Sequence, residues 1–307
     1  MGRLGLVFPG IGVDWCGAEW LFLERHASVM TPFLEQASAM AGKNLVLSGD
    51  LNPVERLSAR ETELLTHAFN CGVNAVLAEA GLEAVCATGH SLGLYSAVAA
   101  SGAVGFADSL KLVDRACALV REACPGGRDS FAMGAVVGLA VEDVRQLARP
   151  TAAGGLEIAI QNNPYSFVVS GPKEDVERFL AEAGEQGAPK VIRLRVDYPY
   201  HNPALMGRVI EPFERFLRTL PWTVAARPVL CPFDQLLWRR TDGLIRCVAQ
   251  TPASPFNWLK TMGSMMEAGI DTVVECGPGI SLTQNARFIA GLPPHVNLKN
   301  IRSRLGL

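Results

Sequence analysis

The chain has 307 residues, 49% of them apolar and 19% charged, with a formal net charge of -2. That length suits one large domain, or a large domain carrying a smaller one, and the composition excludes a disordered chain. The charge excludes wrapping of nucleic acid or of a strongly anionic membrane, and no apolar run reaches the roughly 18–20 residues of a membrane span.

The opening "MGRLGLVFPGIGVDW" is interrupted at Pro9 and Gly10, too early for a secretory signal. Residues 2–8 read as a buried strand ending at that turn, and spaced apolar positions over 14–40 read as helices. "ETELLTHAFNCGVNAVLAEAG" (61–81) predicts a helix closing at Gly81, and "EAVCATG" a short second strand. Leu92 to Ala100 and Phe106 to Glu122 read as two further helices. After "PGGRDS" (125–130) the rhythm changes to strand, helix, strand, strand, helix, strand, ending in "KVIRLRV". That order is the βαββαβ of a ferredoxin-like unit. The expected division is therefore a large domain made of 1–128 and 199–307, with a small subdomain at 129–198 inserted in it. "DTVVECGPG" (271–279) predicts another strand running into a glycine turn.

The eight cysteines form no Cys-x-x-Cys pair and read as small core residues of a reducing cytoplasm, with neither a metal site nor a disulfide framework expected.

Gly89-His90-Ser91-Leu92-Gly93, between a predicted strand and a predicted helix, fits the G-x-S-x-G nucleophile elbow. Glycines flank the serine because a sharp turn leaves no room beside it, and backbone N–H groups at the helix start can hold an oxyanion. A bland alternative is a tight turn with a helix-capping serine. Of the five histidines, His26 and His67 fall in helical stretches, His295 in a Pro-rich tail, and His90 beside the serine, where adjacent side chains diverge. His201, in "VDYPYHNPALM", remains as the candidate base.

With these segments in order, the chain resembles the malonyl-CoA:acyl-carrier-protein transacylases and the acyltransferase domains of fatty-acid and polyketide synthases. "VFPGIG" resembles the family's Phe-Pro-Gly-Gln-Gly, "GHSLGLYSAVAASGAV" its nucleophile segment, and "NNPYSFVVSG" its Asn-x-Pro segment. "YPYHNPALM" resembles its histidine segment and "VECGPGISLT" its Glu-x-Gly-Pro-Gly. The resemblance covers nearly the whole chain. It implies an α/β fold, with an α/β-hydrolase-like large domain and an inserted ferredoxin-like small subdomain. It implies Ser91 as nucleophile and His201 as general base, the backbone N–H groups of Ile11 and Leu92 as oxyanion donors, and a backbone carbonyl of Gln250 or Thr251 orienting the histidine. His90, Leu94, Arg115, Ala116, Asn162 and Tyr200 would line the substrate site. No tightly bound cofactor and no metal is implied, since the substrates carry CoA or phosphopantetheine. The implied partners are an acyl carrier protein and an acyl-CoA or acyl-carrier-protein donor, with neither nucleic acid nor membrane, for a cytoplasmic monomer.

Three departures bear on the substrate. The family's glutamine in Phe-Pro-Gly-Gln-Gly is Ile11 here, its glutamate after Ser-Leu-Gly is Leu94, and its carboxylate-binding arginine falls on Ala116. Arg115 precedes Ala116, but one step along a helix turns a side chain by roughly 100° and aims it elsewhere. A carboxylate drawn into such a cleft loses hydration without a guanidinium in return. The expectation is a discrete acyltransferase for a non-malonyl acyl group, in polyketide or fatty-acid type biosynthesis. The alternatives are a thioester hydrolase acting on carrier proteins, an ordinary malonyl transacylase using Arg115, and a non-enzymatic docking module. The basic residues Lys260, Arg287, Lys299, Arg302 and Arg304 are candidates for docking an acidic carrier protein.

Overall fold

Five consecutive apolar-or-glycine residues, Leu4–Phe8, form a strand buried along its whole length, as a strand covered on both faces must be. The structure, a computed structural model, describes residues 2–13, 15, 17–46, 53–148 and 155–307. Its strands in chain order are β1 (Leu4–Phe8), β2 (Ala84–Gly89), β3 (Phe131–Val137), β4 (Glu157–Asn163), β5 (Ser166–Pro172), β6 (Lys190–Arg193), β7 (Val229–Leu230), β8 (Leu237–Trp238), β9 (Phe256–Asn257), β10 (Thr272–Glu275) and β11 (His295–Val296).

They make two sheets. The first runs β11-β10-β1-β2-β7-β8. Its first five strands are parallel and β8 returns antiparallel to β7. Parallel neighbours need crossovers, and helices supply them. The longest, Ala59–Glu79, starts in a capping box between Ser58 and Glu61 and is buried through most of its middle. Helices Ala27–Ala41, Gly93–Ala100 and Phe106–Ala123 pack around it.

The second sheet runs β6-β3-β5-β4-β9. Its first four strands, with helices Val141–Leu147 and Lys173–Glu185, have the βαββαβ order read from the sequence. Alternation along the strands sorts the side chains. Ala132, Val136, Phe167 and Val169 pack under the two helices with Val176 and Phe179. Met133, Ala135, Ile160 and Val168 face the other way, onto Trp258 and Met262 of helix Trp258–Glu267. The first sheet and the second thus share a packed seam.

Two details depart from the sequence expectation. The strand expected over 190–196 ends at Arg193. It is an exposed edge paired only with β3, and after Leu194 N–H reaches Met133 O (2.9 Å) the chain leaves the ladder. The strand β9, not expected at all, adds to β4 in parallel from beyond the 129–198 segment. Of the cysteines, Cys16 lies outside the described residues and the other seven are free thiols. Among the described residues no helix is long and apolar enough to cross a membrane.

Candidate active site

The turn after β2 is built by its glycines. A Cβ on Gly89 would sit 2.0 Å from the Gly93 carbonyl carbon and Leu94 N, and one on Gly93 would sit 2.0 Å from Phe8 O. Only glycine fits at either place, so the chain reverses within five residues. His90 N–H donates to Phe8 O (2.9 Å), tying the turn to the end of β1. Gly93 N–H reaches His90 O (3.0 Å) and Leu94 N–H reaches Ser91 O (2.9 Å), which starts helix Gly93–Ala100. Ser91 between them is held at φ 55°, a left-handed conformation that a side chain with a Cβ adopts only under constraint.

His201 is also left-handed, at φ 59°. Its own N–H donates to Pro252 O (2.9 Å). The next residue, Asn202, donates from Nδ2 to Gly155 O (2.5 Å) and Ser170 O (2.9 Å), while its Oδ1 accepts from Leu205 N–H (3.2 Å). The histidine loop is therefore pinned to both sheets' surroundings at once. Held in this way, His201 places Nε2 2.8 Å from Ser91 Oγ. Its Nδ1–H donates to the carbonyl of Ser254 (3.0 Å), which leaves Nε2 as the acceptor of the serine proton. Burial lowers the His201 pKa to about 3, against a smaller raising effect from the Ser254 carbonyl. The ring is neutral and ready to take a proton.

The orienting carbonyl expected from Gln250 or Thr251 thus belongs to Ser254. The Gln250 carbonyl is occupied by the turn that follows helix Thr241–Gln250, accepting from Ala253 N–H (3.0 Å) and Ser254 N–H (2.9 Å). Thr251 lies inside that same turn, and the extra length of "TPAS" carries the free carbonyl further along.

The remaining sequence-predicted residues divide into two groups. The first surrounds the serine. Neither Ile11 nor Leu92 gives its N–H to an acceptor among the described residues, so both are open to a ligand oxygen. His90 Nε2–H donates to Asn162 Oδ1 (2.9 Å), and its ring packs edge-on to Phe256 (5.1 Å) and Trp258 (5.2 Å). Burial lowers its pKa to about 4, so it too is neutral. Ile11 also lines a cleft of about 870 Å³ whose wall includes Thr62, Arg128, Arg193 and Arg195. Tyr200, beside His201, donates from its hydroxyl to Glu63 Oε1 (2.6 Å).

The second group does not reach the serine through its side chains. Leu94 is fully buried in the core, and Ala116 is 3% exposed on the inward face of helix Phe106–Ala123. Arg115, offered above as a substrate contact, turns outward and pairs with Glu122 (3.6 Å), seven residues on along the same face. The helical rotation that separates it from Ala116 is the reason.

Several contributors escaped the sequence reading. Ser254 and Asn202 come from loops, Phe256 from the short strand β9 and Trp258 from the first position of helix Trp258–Glu267, all placed by tertiary contacts. The polar residues beneath the turn are a buried chain: Asn70 Nδ2 donates to Pro9 O (3.0 Å) and to Ser96 Oγ (3.1 Å), and His67 bridges Ser96 (3.0 Å) and Ser109 (2.7 Å). A His and an Asn three residues apart within the mostly apolar stretch "LLTHAFNCGV" were the available signal.

This arrangement of a half-buried serine, a neutral histidine bonded to it and two N–H groups without an acceptor among the described residues suits forming and breaking an ester on Ser91. The acyl transferase domain family matches residues 44–243. The chain is 29% identical over 286 residues to the malonyl CoA-acyl carrier protein transacylase of Escherichia coli K12, covering 92% of this chain and 91% of that protein. A crystal structure of an acyl carrier protein S-malonyltransferase from Vibrio cholerae superposes with a TM-score of 0.84 at 28% identity, covering 96% of each chain. A type II polyketide-synthase malonyl-transacylase, solved in complex with its acyl-carrier protein, superposes with a TM-score of 0.87 at 25% identity, over 97% of this chain and 98% of that one.

Proposed function

The chain belongs to the acyl transferase domain family, and on that premise we propose that it moves an acyl group lacking a carboxylate from a CoA or carrier-protein thioester to an acyl carrier protein. The setting is fatty-acid or polyketide synthesis, as for the relatives named above. The strand–turn–helix around Ser91, at the end of a parallel sheet, supports describing the large unit as α/β-hydrolase-like.

In this reading His201 Nε2 takes the proton of Ser91 Oγ as that oxygen attacks the thioester carbon. The negative charge gathers on the former carbonyl oxygen, which the N–H groups of Ile11 and Leu92 accommodate. When the C–S bond breaks, His201 returns the proton to the departing thiolate and acyl-Ser91 remains. A carrier-protein thiol then repeats the steps in reverse: His201 deprotonates it, sulfur attacks the ester, and the proton goes back to Ser91. The Ser254 carbonyl keeps the imidazole in the productive tautomer and stabilises the transient imidazolium.

The observation that carries the choice of acyl group is the orientation of helix Phe106–Ala123. Its inward position is Ala116, and its arginine is engaged outside with Glu122. A malonyl carboxylate entering beside that helix meets a buried carboxyl, Glu63, whose cysteine partner is Cys117 (3.1 Å). Loss of a charged partner for a desolvated group costs about 2–5 kcal/mol, which disfavours a dicarboxylic acyl group.

The test is intact-mass measurement of acyl-Ser91 after exposure to butyryl-CoA or malonyl-CoA, followed by addition of a phosphopantetheinylated carrier protein. Butyryl acylation that is abolished by Ser91→Ala, slowed about 10²–10⁴-fold by His201→Ala, and discharged onto the carrier is the expected result. Faster labelling by malonyl-CoA would reject the acyl-group assignment. Discharge to water in place of the carrier would make the protein a hydrolase.

A further inference from the structure

Glu63 lies on helix Ala59–Glu79 and is 4% exposed. Both of its oxygens are met by donors: Tyr200 Oη–H reaches Oε1 (2.6 Å) and Cys117 Sγ–H reaches Oε2 (3.1 Å). Neither partner is a cation. Arg60, one turn earlier on the same helix, pairs with Asp114 (2.5 Å), and Arg115 pairs with Glu122. Among the described residues no ion pair reaches Glu63.

The carboxyl is therefore without a counter-charge among the described residues, and its two neutral partners suit it best when it is protonated. Ionised, it is a buried charge without a counter-charge, an arrangement that costs several kcal/mol. Protonated, its O–H can be taken only by Tyr200 Oη or Cys117 Sγ, which must then turn its own hydrogen away from the carboxyl. Burial holds this carboxyl above the usual range, with the two donors pulling the other way.

Its surroundings connect it to the reaction centre. Tyr200 is the residue before His201, and the two rings are 6.5 Å apart. Cys117 follows Ala116. Tyr95 lies one turn past Ser91 on the helix that the turn starts, and Glu63 acts on it electrostatically, as it does on Tyr200 and Cys117. Glu63, Tyr95, Cys117 and Tyr200 thus form one cluster beside the Ser91–His201 pair, rich in donors and acceptors and lacking a positive charge.

We propose that Glu63, with Tyr200, is the recognition site for a protonated amine on the acyl group, so that this protein transfers an aminoacyl chain. The ammonium supplies the counter-charge that the buried carboxylate lacks; a carboxyl protonated beforehand gives its proton to solvent as the ammonium enters. The proposal rests on the acyl-Ser91 chemistry above, and its test keeps the two separate.

Single-turnover acylation of Ser91 is measured with 3-aminopropanoyl-CoA and with butyryl-CoA, which match in chain length and differ in the terminal group. The expected result is a 3-aminopropanoyl rate at least about tenfold above the butyryl rate in the wild type, and a fall in that ratio of at least about tenfold in Glu63→Gln, which preserves size and removes the charge. A wild-type ratio near or below one overturns the amine site, whether or not Glu63→Gln folds. An unchanged ratio in a folded Glu63→Gln protein overturns it as well. If neither thioester labels Ser91, the transferase reading falls with it; if butyryl alone labels Ser91, only the amine site falls.

Discussion

Ser91 and His201, 110 residues apart in the chain, meet at 2.8 Å with both backbones in the left-handed region. Neither residue is a glycine, so each position stores strain of about 1–3 kcal/mol that only its surroundings maintain. For Ser91 those surroundings are two glycine-permitted close approaches of backbone to backbone. For His201 they are the Pro252 carbonyl on one side and the side chain of Asn202 on the other. The serine and histidine are aimed at each other by main-chain conformation, before any side-chain rotamer is chosen.

The depressed His201 pKa gives a pH profile. A general base works in its neutral form, and the proton that disables it binds only as pH approaches about 3. Acylation by butyryl-CoA, which has no titrating acyl group, should hold its plateau from pH 8 down to pH 5. Single-turnover rates across that window check this. A half-loss near pH 6.5, the position of an ordinary imidazole, would show that His201 is more hydrated than its burial implies.

Ala116→Arg should shift the preference between malonyl-CoA and butyryl-CoA toward malonyl by about tenfold or more, equivalent to about 1.4 kcal/mol. The new guanidinium would stand on the inward face beside Glu63, pairing with it and offering its remaining donors to the malonyl carboxylate. Arg115→Ala should leave the preference within about twofold, since that side chain faces Glu122. If Arg115→Ala were the variant that altered malonyl labelling, the helix would present a different face to the cleft.

Asn202 is a structural clasp whose loss should be felt twice. Asn202→Ala takes the Nδ2 donor from the Gly155 and Ser170 carbonyls, at about 1–3 kcal/mol for each buried group that stays unsatisfied, while Leu205 N–H keeps the main-chain oxygen of residue 202 (3.2 Å). Denaturant unfolding should show a lowered midpoint, and acylation should slow because the neighbouring His201 loosens. A midpoint unchanged with a normal rate would mean that Pro252 and Ser254 suffice to hold the loop.

The cleft beside Ile11 carries Arg128, Arg193 and Arg195, whereas Lys260, Arg287, Lys299, Arg302 and Arg304 are exposed elsewhere on the surface. Reversing Arg128 and Arg195 to glutamate together should raise KM for a carrier protein about five- to tenfold at low ionic strength, with a smaller effect in high salt. Reversing Arg302 and Arg304 should do less. The opposite ranking in steady-state assays would return the docking surface to the C-terminal segment.

The parts of the site that the sequence disclosed are those encoded locally. Gly89 and Gly93 mark the turn because sterics at five-residue range demand them, and the outward course of Arg115 follows from helical rotation alone. Ser254 stayed hidden because which carbonyl remains free depends on how a turn after a helix closes, and Gln250 loses its own to that closure. Glu63 sits in "ETELLTHAF", which reads only as part of a helix; its partners Tyr200 and Cys117 are distant in the chain and only folding brings them near. The two-residue strand β9 has no pattern of its own and exists because β4 offers it an edge.

That edge has a consequence for how the protein is made. Synthesis runs from the N-terminus, so the strands and helices of residues 131–193 leave the ribosome well before Phe256 and Asn257. Until those two residues emerge, β4 presents unpaired main-chain groups to the cell, the kind of template on which chains associate wrongly. The Ser254 carbonyl arrives on the same late stretch, so the covering of that edge and the alignment of His201 are completed together. A nascent protein of this design is vulnerable and inactive over the same interval, and leaves both conditions in one step.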